Sequence, residues 1–529
     1  MTSPVAITTA LVVVIGLLLN YFVPATIDAR EPPVVKSRIP LIGHIIGIIR
    51  HQANYHLILR RASNKPIATL PMLNGKMYAI WDPSLVSAGL RNKNLSNTAQ
   101  IKEVVKPLFQ VSLAGQEILL GPKGGEIVDR ILLNVIPPAF KGTNLENFSG
   151  TALSLIASQL TSLATSETTS VPNVWLWIRG LVTLATSPAL FGKHDPFSKA
   201  QLEGVDLEQS MFDFVTSIFL LVVNVLPSII APSGNRARAA LLRELIPYYS
   251  SHYDAHETAS AFVKNRAAEL RRYGLPDEDI ARTEIMLPFA ALANTVPTLF
   301  WFFSFVMSRP DDLVPQLREE VNRLIVGRNN GEVTLNVSQA AIEEKCPLLT
   351  SCYKETLRMT VRQVSTRTVD QDTTLTDARG THTYLLKKDA VVQMALGVMH
   401  TSKEFWGDDV DEFNPRRFLA FNTNHPRDDI EKDGPGSLKA MRSAFQPWGG
   451  GMHLCPGRQF AYAEMMALMT TMLLGFDVEP LDGGKWQLPG YATSSLIDAV
   501  TKPAKEGKGF GVRIKKRTGL EGVSWKYEL

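Results

Sequence analysis

The chain opens with a nearly continuous apolar stretch, VAITTALVVVIGLLLNYFV, which runs from Val5 to Val23. Asn20 is its one strongly polar side chain, and the first charged side chain of the chain is Asp28. A helix of this length spans roughly 28 Å, which is close to the hydrocarbon thickness of a bilayer. Because a cleavable signal peptide has a basic start and a shorter apolar core, the pattern favours a retained transmembrane helix over a signal peptide.

Basic side chains and prolines follow this apolar stretch. Since no basic residue precedes the stretch, we expect the rest of the chain to lie in the cytosol. The prolines stiffen the next segment into a short connector. We therefore predict a membrane anchor at residues 1–27, a connector at 28–48 and one folded domain at 49–529. The basic residues and prolines that follow the stretch are Arg30, Lys36, Arg38, Pro32, Pro33 and Pro40.

Three further patterns predict elements in the first two thirds of the chain. Alternating apolar and polar positions around Asn74-Gly75 predict a β-hairpin, and the start of a helix follows. Residues from about 85 to 270 have mostly helical patterns with short breaks at Pro and Gly. The segment between Pro276 and Pro310 is apolar on nearly all faces. It predicts a helix buried in the core, with a second membrane span as the alternative.

The last third of the chain predicts a helix over about Cys346 to Thr360, strand-like residues at 381–396 and a polar loop region at 400–442. A last long helix should begin near Gly457. Strands are few and short, and no linker interrupts the interior. The pattern therefore favours one large, mainly helical domain.

Composition narrows the class of protein. Hydrophobic residues make up 45% of the 529 residues, which is enough for a large core. The formal charge of +4 is small for this length and gives no case for a nucleic-acid binder. Three cysteines cannot form a disulfide framework, which fits a reducing compartment for the folded part.

Cys455 lies in a glycine-rich loop, FQPWGGGMHLCPGRQFAYAE, just before the last predicted helix. Glycines on both sides allow the backbone to lie flat against a planar partner, and the N-terminus of the helix favours a thiolate. The small side chain of Ala461 keeps this helix close to whatever the thiolate binds. A thiolate beside a flat surface suits an axial ligand of haem iron. An inert buried cysteine is the alternative, but it explains neither the glycines nor their spacing.

This loop resembles the cysteine loop of the cytochrome P-450 haem-thiolate monooxygenases, Phe-x-x-Gly-x-Arg-x-Cys-x-Gly. Trp448 replaces the Phe and still supplies an aromatic ring beside the sulfur. His453 replaces the Arg that usually meets a haem propionate, which leaves a weaker and pH-sensitive partner. The positions that correspond to the family's loop and its continuation are Trp448, Gly451, His453, Cys455, Gly457, Ala461 and Glu464.

Two other segments support the resemblance. ETLR places Glu355 and Arg358 on one helix face, and FNPRRF is similar to the family's Pro-x-Arg-Phe element. The resemblance implies that Glu355, Arg358 and Arg417 form a buried, hydrogen-bonded triad with a structural role. Arg367 stands where the family often places a second propionate ligand, with an ordinary surface arginine as the alternative.

The apolar helix should be the family's distal helix, where an acid and an alcohol guide protons to dioxygen. In AALANTVPT, residues 290–298, Leu292 stands in for Gly, Asn294 for the acid and Thr295 for the alcohol. A shift of the register by one residue puts Asn294 in the alcohol position instead. Asparagine can orient water but cannot relay a proton as a carboxylate does. Alternatively, Asn294 only satisfies backbone freed by Pro297.

The helix resembles those of sterol 7α-hydroxylases and prostacyclin synthase, and the PWGGG…CPGR loop resembles fungal biosynthetic members of the same branch. The resemblance implies a mainly α cytochrome P-450 fold with a small β-rich lobe and haem b bound through Cys455. It implies oxidation of an apolar, terpenoid or steroid-like substrate, in a fungal secondary-metabolite pathway, with NADPH electrons from a separate cytochrome reductase. Together with the anchor, it implies a single-pass protein of the endoplasmic reticulum membrane with a cytosolic catalytic domain.

Two other classes of function stay open. Because Asn294 cannot ionise, a haem isomerase or dehydratase that needs neither dioxygen nor a reductase is the main alternative. A haem-binding scaffold or sensor without catalysis is the other.

Overall fold

A computed structural model describes most of the chain after the apolar N-terminal stretch. The stretch itself, and with it the predicted transmembrane helix, lies outside the described residues. These are residues 27–37, 39, 42–72, 75–163, 167–329, 331–421, 437–520 and 522–529.

Helices make up most of the described chain. In its first part they are α1 Gly43–His51, α2 Asn54–Ser63, α3 Pro83–Arg91, α4 Thr98–Val104, α5 Leu113–Leu120, α6 Gly124–Arg130, α7 Ile136–Ala139, α8 Gly142–Leu163, α9 Val174–Phe191, α10 Pro196–Leu202, α11 Leu207–Val223, α12 Pro227–Ile230 and α13 Pro232–Ser250.

In the second part they are α14 Ala261–Arg272, α15 Asp277–Glu284, α16 Met286–Leu292, α17 Thr295–Met307, α18 Val314–Asn322, α19 Gln339–Lys345, α20 Pro347–Thr360, α21 Leu396–His400, α22 Lys403–Trp406, α23 Leu438–Ala444 and α24 Arg458–Gly475. Short 3₁₀ and π turns join several of them.

The strands are short, and about half of them lie between residues 325 and 395. They are β1 Ile67–Met72, β2 Gly75–Ile80, β3 Leu95–Ser96, β4 Thr168–Val171, β5 Ile325–Asn329, β6 Glu332–Asn336, β7 Val364–Val369, β8 Thr373–Thr376, β9 Thr383–Leu386, β10 Val391–Ala395, β11 Phe476–Pro480, β12 Val512–Lys516 and β13 Ser524–Glu528.

The largest sheet has the strand order β1-β2-β10-β7-β3. β2 pairs antiparallel with β1 and parallel with β10, and β7 pairs antiparallel with β10. Two smaller sheets have the orders β11-β12-β4 and β13-β6-β5, and β8 pairs with β9. The large sheet fixes β7, which carries Arg367, and its hairpin β1-β2 confirms the prediction around Asn74-Gly75, although residues 73 and 74 lie outside the described residues.

Two helices form the centre of the core. Every side chain of α17 is buried, and so is α24 from Phe460 onward. A helix that is apolar on all faces is stable only when other elements surround it. Two helical stretches of the described residues, Val174–His194 and Asp277–Met307, are long and apolar enough to cross a membrane. Because 72% and 78% of their apolar windows are buried inside the fold, core packing explains their composition.

The buried helix predicted between Pro276 and Pro310 is interrupted in the structure. The structure divides this segment into α15, α16 and α17, with breaks after Glu284 and at Ala293. Pro288 and Pro297 lie four residues after these two positions. A proline has no N–H to bond to the carbonyl four residues earlier, so each proline weakens the helix at the break.

Candidate functional site

The cysteine loop joins α23 to α24 and is folded back tightly on itself. The Cys455 amide donates to the Trp448 carbonyl at 3.1 Å, which closes the loop around its glycines. Gly449 and Gly451 have φ angles of +71° and +62°, a region that favours glycine. A Cβ at Gly451 would lie 1.9 Å from the Leu90 carbonyl oxygen of α3, so the loop also needs glycine there for close packing.

The Cys455 sulfur lies at the N-terminus of α24. The backbone amides of Gly457 and Arg458 lie close enough to affect the pKa of its thiol. Burial raises the pKa of the Cys455 thiol, whereas these amides and the Arg458 charge act in the opposite direction. Backbone amides that point at a sulfur stabilise its thiolate form, which is the form that ligates metals.

The predicted loop residues near Cys455 include Gly457, Ala461 and Trp448. A Cβ at Gly457 would make only ordinary contact with the Phe140 ring, at 3.5 Å, so protein packing alone does not require glycine there. Ala461 is buried one turn further along α24, and the half-buried Trp448 packs against the main core. These predicted loop residues therefore lie together around Cys455.

Arg367 in β7 is a buried cation that lacks an acidic partner. It is 7% exposed, and its Nη1 donates to the Thr366 carbonyl at 2.8 Å. Within the described residues, no carboxylate lies within 4 Å of its guanidinium. Burial lowers the pKa of Arg367 to about 10. Burial first, and then the charge of Arg367, lower the pKa of His453, which is half-buried in the cysteine loop.

Glu355 and Arg358 of α20 lie in the core next to Arg417. Glu355 and Arg358 are both 0% exposed, and the Arg358 guanidinium donates to the Glu355 carboxylate at 2.7 and 2.9 Å. Arg417 Nε donates to the same carboxylate at 3.0 and 3.1 Å. Arg358 also donates to the His400 carbonyl at 2.9 Å. The structure thus brings the three residues together in the arrangement that the resemblance implies.

Asp409 belongs to this network and the sequence did not reveal it. Arg417 donates to the Asp409 carboxylate at 2.9 Å and to the Asp409 carbonyl at 3.0 Å. Burial tends to lower the pKa of Arg417, but the Asp409 hydrogen bond and the Glu355 charge outweigh burial and raise it. The carboxylates of Glu355 and Asp409 therefore balance the charges of Arg358 and Arg417.

Asn294 and Thr295 lie at the break between α16 and α17. The buried Thr295 hydroxyl donates to the Ala291 carbonyl at 3.1 Å. The Asn294 carbonyl accepts from the Thr298 hydroxyl at 2.7 Å, whereas the half-buried Asn294 side chain makes no hydrogen bond to another described residue. The alternative in which the Asn294 side chain satisfies freed backbone therefore has no hydrogen bond to support it among these residues.

The chemistry of this site fits a haem. An axial thiolate needs stabilising donors at its sulfur, which the Gly457 and Arg458 amides supply, and a haem propionate would give the buried Arg367 the anion that it lacks. Among the described residues, no group of three or more His, Cys, Asp or Glu could hold a bare metal ion. A porphyrin brings its own four nitrogen ligands, so one cysteine suffices.

Comparisons with known proteins agree with this chemistry. The model of the cytochrome P450 family matches residues 32–498. The chain is 34% identical to a cytochrome P450 monooxygenase of Gibberella zeae, an alignment that covers 100% of this chain and 97% of that protein. It is 27% identical to the cytochrome P450 monooxygenase nodJ of Hypoxylon pulicicidum, over 96% and 93% of the two chains. The human 7-alpha-hydroxycholest-4-en-3-one 12-alpha-hydroxylase is 24% identical over 85% of this chain and 87% of its own.

Proposed function

Because the chain belongs to the cytochrome P450 family of oxidoreductases, we propose that it is a haem-thiolate monooxygenase of a bulky apolar substrate. The substrate class that we propose is a terpenoid or steroid-like molecule, in a fungal secondary-metabolite pathway. The fungal relatives and the human sterol 12-alpha-hydroxylase support this choice of class. Cys455 is the proposed axial ligand of haem b.

The observation that carries the proposal is the position of the Cys455 sulfur at the start of α24, where burial raises the pKa of its thiol and the backbone amides of Gly457 and Arg458 act to lower it. A haem held there by Cys455 would supply the activation of dioxygen, and a thiolate ligand would favour that chemistry. The two amides favour the thiolate form against the effect of burial. Arg367 and His453 would offer positive charge and a hydrogen-bond donor to the propionates. Glu355, through its two arginines, holds α20 against the segment that contains Arg417.

In this proposal, Thr295 and Asn294 hold water and guide protons on the side of the haem opposite Cys455. The Thr295 hydroxyl donates to the Ala291 carbonyl and keeps an oxygen lone pair that can accept a hydrogen bond from water. The Asn294 amide is free to orient that water but cannot relay a proton itself. We therefore propose that protons reach the reaction through water held by Thr295 and Asn294.

The experiment that tests the proposal is turnover with isotopically labelled dioxygen, using the full chain with NADPH and a cytochrome reductase on a terpenoid extract. Label in the product supports oxygen insertion. Thr295→Ala should then raise the ratio of hydrogen peroxide released to product formed. Product without label, formed equally well without reductase, would contradict the proposal.

A second candidate is a haem isomerase or dehydratase. It is favoured by Asn294, which replaces an ionisable acid and whose side chain makes no hydrogen bond to another described residue. In this case Asn294 would orient the substrate, and turnover would need neither NADPH nor dioxygen. The labelled-dioxygen experiment separates the two candidates.

We further propose that the protein is anchored in the endoplasmic reticulum membrane by residues 1–27, with a connector at 28–48 and the catalytic domain in the cytosol. Electrons would come from NADPH through a separate reductase that docks on the Cys455 side. An exposed apolar patch around α12 supports an additional contact with lipid. Its side chains are Leu220, Val223, Val225, Leu226, Ile229 and Ile230.

A further inference from the structure

A cleft of about 620 Å³ lies outside the haem site, between α2 and the segments around α22 and Tyr491. Its lining contains four cationic side chains and one anionic side chain, together with several hydroxyl groups. None of the residues that surround Cys455 lines it. Its volume lies within the range of about 300–1,000 Å³ that is usual for small-molecule sites. The charged side chains are Arg60, Arg61, Arg362, Lys403 and Asp411.

Arg362 is a half-buried cation that has no carboxylate partner among the described residues. It follows α20 directly, and its backbone amide donates to the Ala499 carbonyl at 2.8 Å, which fixes its position. Its side chain donates only to its neighbour, the Val361 carbonyl, at 3.2 Å. Across the described ranges of the chain, no carboxylate comes within 4 Å of its guanidinium, and Asp411 is further away than that. Burial lowers the pKa of Arg362 to about 10, which leaves it charged at neutral pH.

The neighbouring cations are only partly compensated. Arg60 pairs with Glu404 at 3.3 Å, and Lys403 lies 3.5 Å from Asp408. Arg61 is exposed, and in the part of the chain that the structure describes no carboxylate pairs with it. The cleft therefore keeps an excess of positive charge.

We propose that this cleft binds a phosphate group, carried either by a soluble phosphate ester or by the head group of a phospholipid. A phosphate group is anionic and presents several oxygens, so one group can meet both of the arginines that have no carboxylate partner. The guanidinium is planar and can donate two parallel hydrogen bonds to phosphate oxygens. The hydroxyls of Thr401, Ser402 and Thr493 line the same cleft and can donate to further oxygens.

Both sources of phosphate have access to the cleft. It opens to solvent, which admits a soluble ester. The helices α1 and α2 also expose isoleucine side chains, among them Ile46, Ile49 and Ile58, which would favour contact with lipid on the same part of the molecule. The phosphate is common to both ligands, and only the rest of the molecule differs.

Titration calorimetry on the haem-loaded full chain in neutral detergent tests the proposal. The probes are glycerol 3-phosphate and monomeric dihexanoyl phosphatidic acid, and dihexanoyl phosphatidylcholine shows what the acyl chains contribute. Arg362→Gln and Arg61→Gln should each weaken phosphate binding by about tenfold or more, since each removes a charged hydrogen-bond donor. Arg379→Gln, an exposed arginine in the turn between β8 and β9, should leave binding unchanged.

The outcomes separate the two sources. Saturable binding of both phosphate probes identifies the phosphate alone as the ligand, and binding of the phosphatidic acid only identifies a lipid head group. The absence of saturable binding by the wild type, or equal affinities of the wild type and both cleft variants, would overturn the proposal. If the Arg362→Gln variant does not retain haem, the binding measured for Arg61→Gln decides. Arg61 is exposed, so its replacement should leave the core of the protein intact. None of these results affects the labelled-dioxygen experiment.

Discussion

Replacing Glu464 by glutamine should stabilise the folded protein at neutral pH and have little effect at acidic pH. Glu464 lies in α24, is 1% exposed and has no cationic partner among the described residues. Its carboxyl accepts a hydrogen bond from the Thr186 hydroxyl, and its other oxygen is buried without a partner. Burial raises the pKa of Glu464 to about 8, so the folded protein holds this carboxyl in its neutral form.

The expected stabilisation by Glu464→Gln follows from the difference between the pKa of the Glu464 carboxyl in the folded chain and its pKa in the unfolded chain. The pKa rises from 4.5 in the unfolded chain to about 8 in the folded one. The stability that protonation provides is complete below pH 4.5 and is lost as the pH rises through 8. Each pH unit between these two pKa values lowers the free energy of unfolding of the wild type by about 1.4 kcal/mol. The loss is about 3 kcal/mol at pH 7. Glutamine is neutral at every pH and avoids this loss.

Thermal unfolding of the haem-loaded full chain between pH 5 and 8 measures the effect. The advantage of Glu464→Gln over the wild type should grow with pH, and about 3 kcal/mol corresponds to a rise of a few degrees in the unfolding midpoint. Glu344→Gln, at an exposed glutamate of α19, is the matched control and should show no such trend. A difference between Glu464→Gln and the wild type that stays constant from pH 5 to 8 would refute the reasoning.

Four other outcomes are expected. Cys455→Ala should abolish the strongly red-shifted Soret band of the reduced, CO-bound protein, and a histidine-type band in the wild type would contradict thiolate ligation. Glu355→Gln should destabilise the domain by about 3–5 kcal/mol, measured by denaturant unfolding, because it leaves buried arginines without their charge partner. Gly451→Ala should lower haem incorporation, measured by absorbance per chain, whereas Gly490→Ala, where a Cβ meets no atom within 4 Å, should not. Deleting residues 1–27 should release much of the protein from membranes with its haem retained, as fractionation would show.

The sequence predicted elements well where the local signal was strong. The helix expected from Cys346 to Thr360 is α20, Pro347–Thr360, because a proline suits the first position of a helix. The last helix begins at Arg458, one residue after the predicted start, at the end of the glycine-rich loop. The segment between Pro276 and Pro310 was predicted as a buried helix, and the structure confirms its burial. It divides into three helices at positions where Pro288 and Pro297 remove backbone hydrogen bonds.

The residues of the candidate site were harder to predict from local sequence patterns than the helices were. Glu355 and Arg358 share a helix face by their spacing, but only the family resemblance connected Arg417 to them across the chain. Asp409 was missed because four acids occur between positions 408 and 412, and nothing in this short segment distinguishes the one that meets an arginine. Long-range pairing of charges depends on tertiary packing, which spacing alone does not reveal.

Arg362 and Arg367 are local positive charges that the small net charge of the whole chain does not reveal. Arg362 and Arg367 are five residues apart in the extended chain between α20 and the end of β7. Successive side chains of an extended segment point to opposite faces, so an odd separation sends these two in opposite directions. Arg367 approaches the cysteine loop, and Arg362 lines the basic cleft. Each is a cation without a carboxylate partner among the described residues, so each can pair with an anion from outside the chain. One short segment thus supplies a charged group to the haem site and another to a separate site that we propose for phosphate.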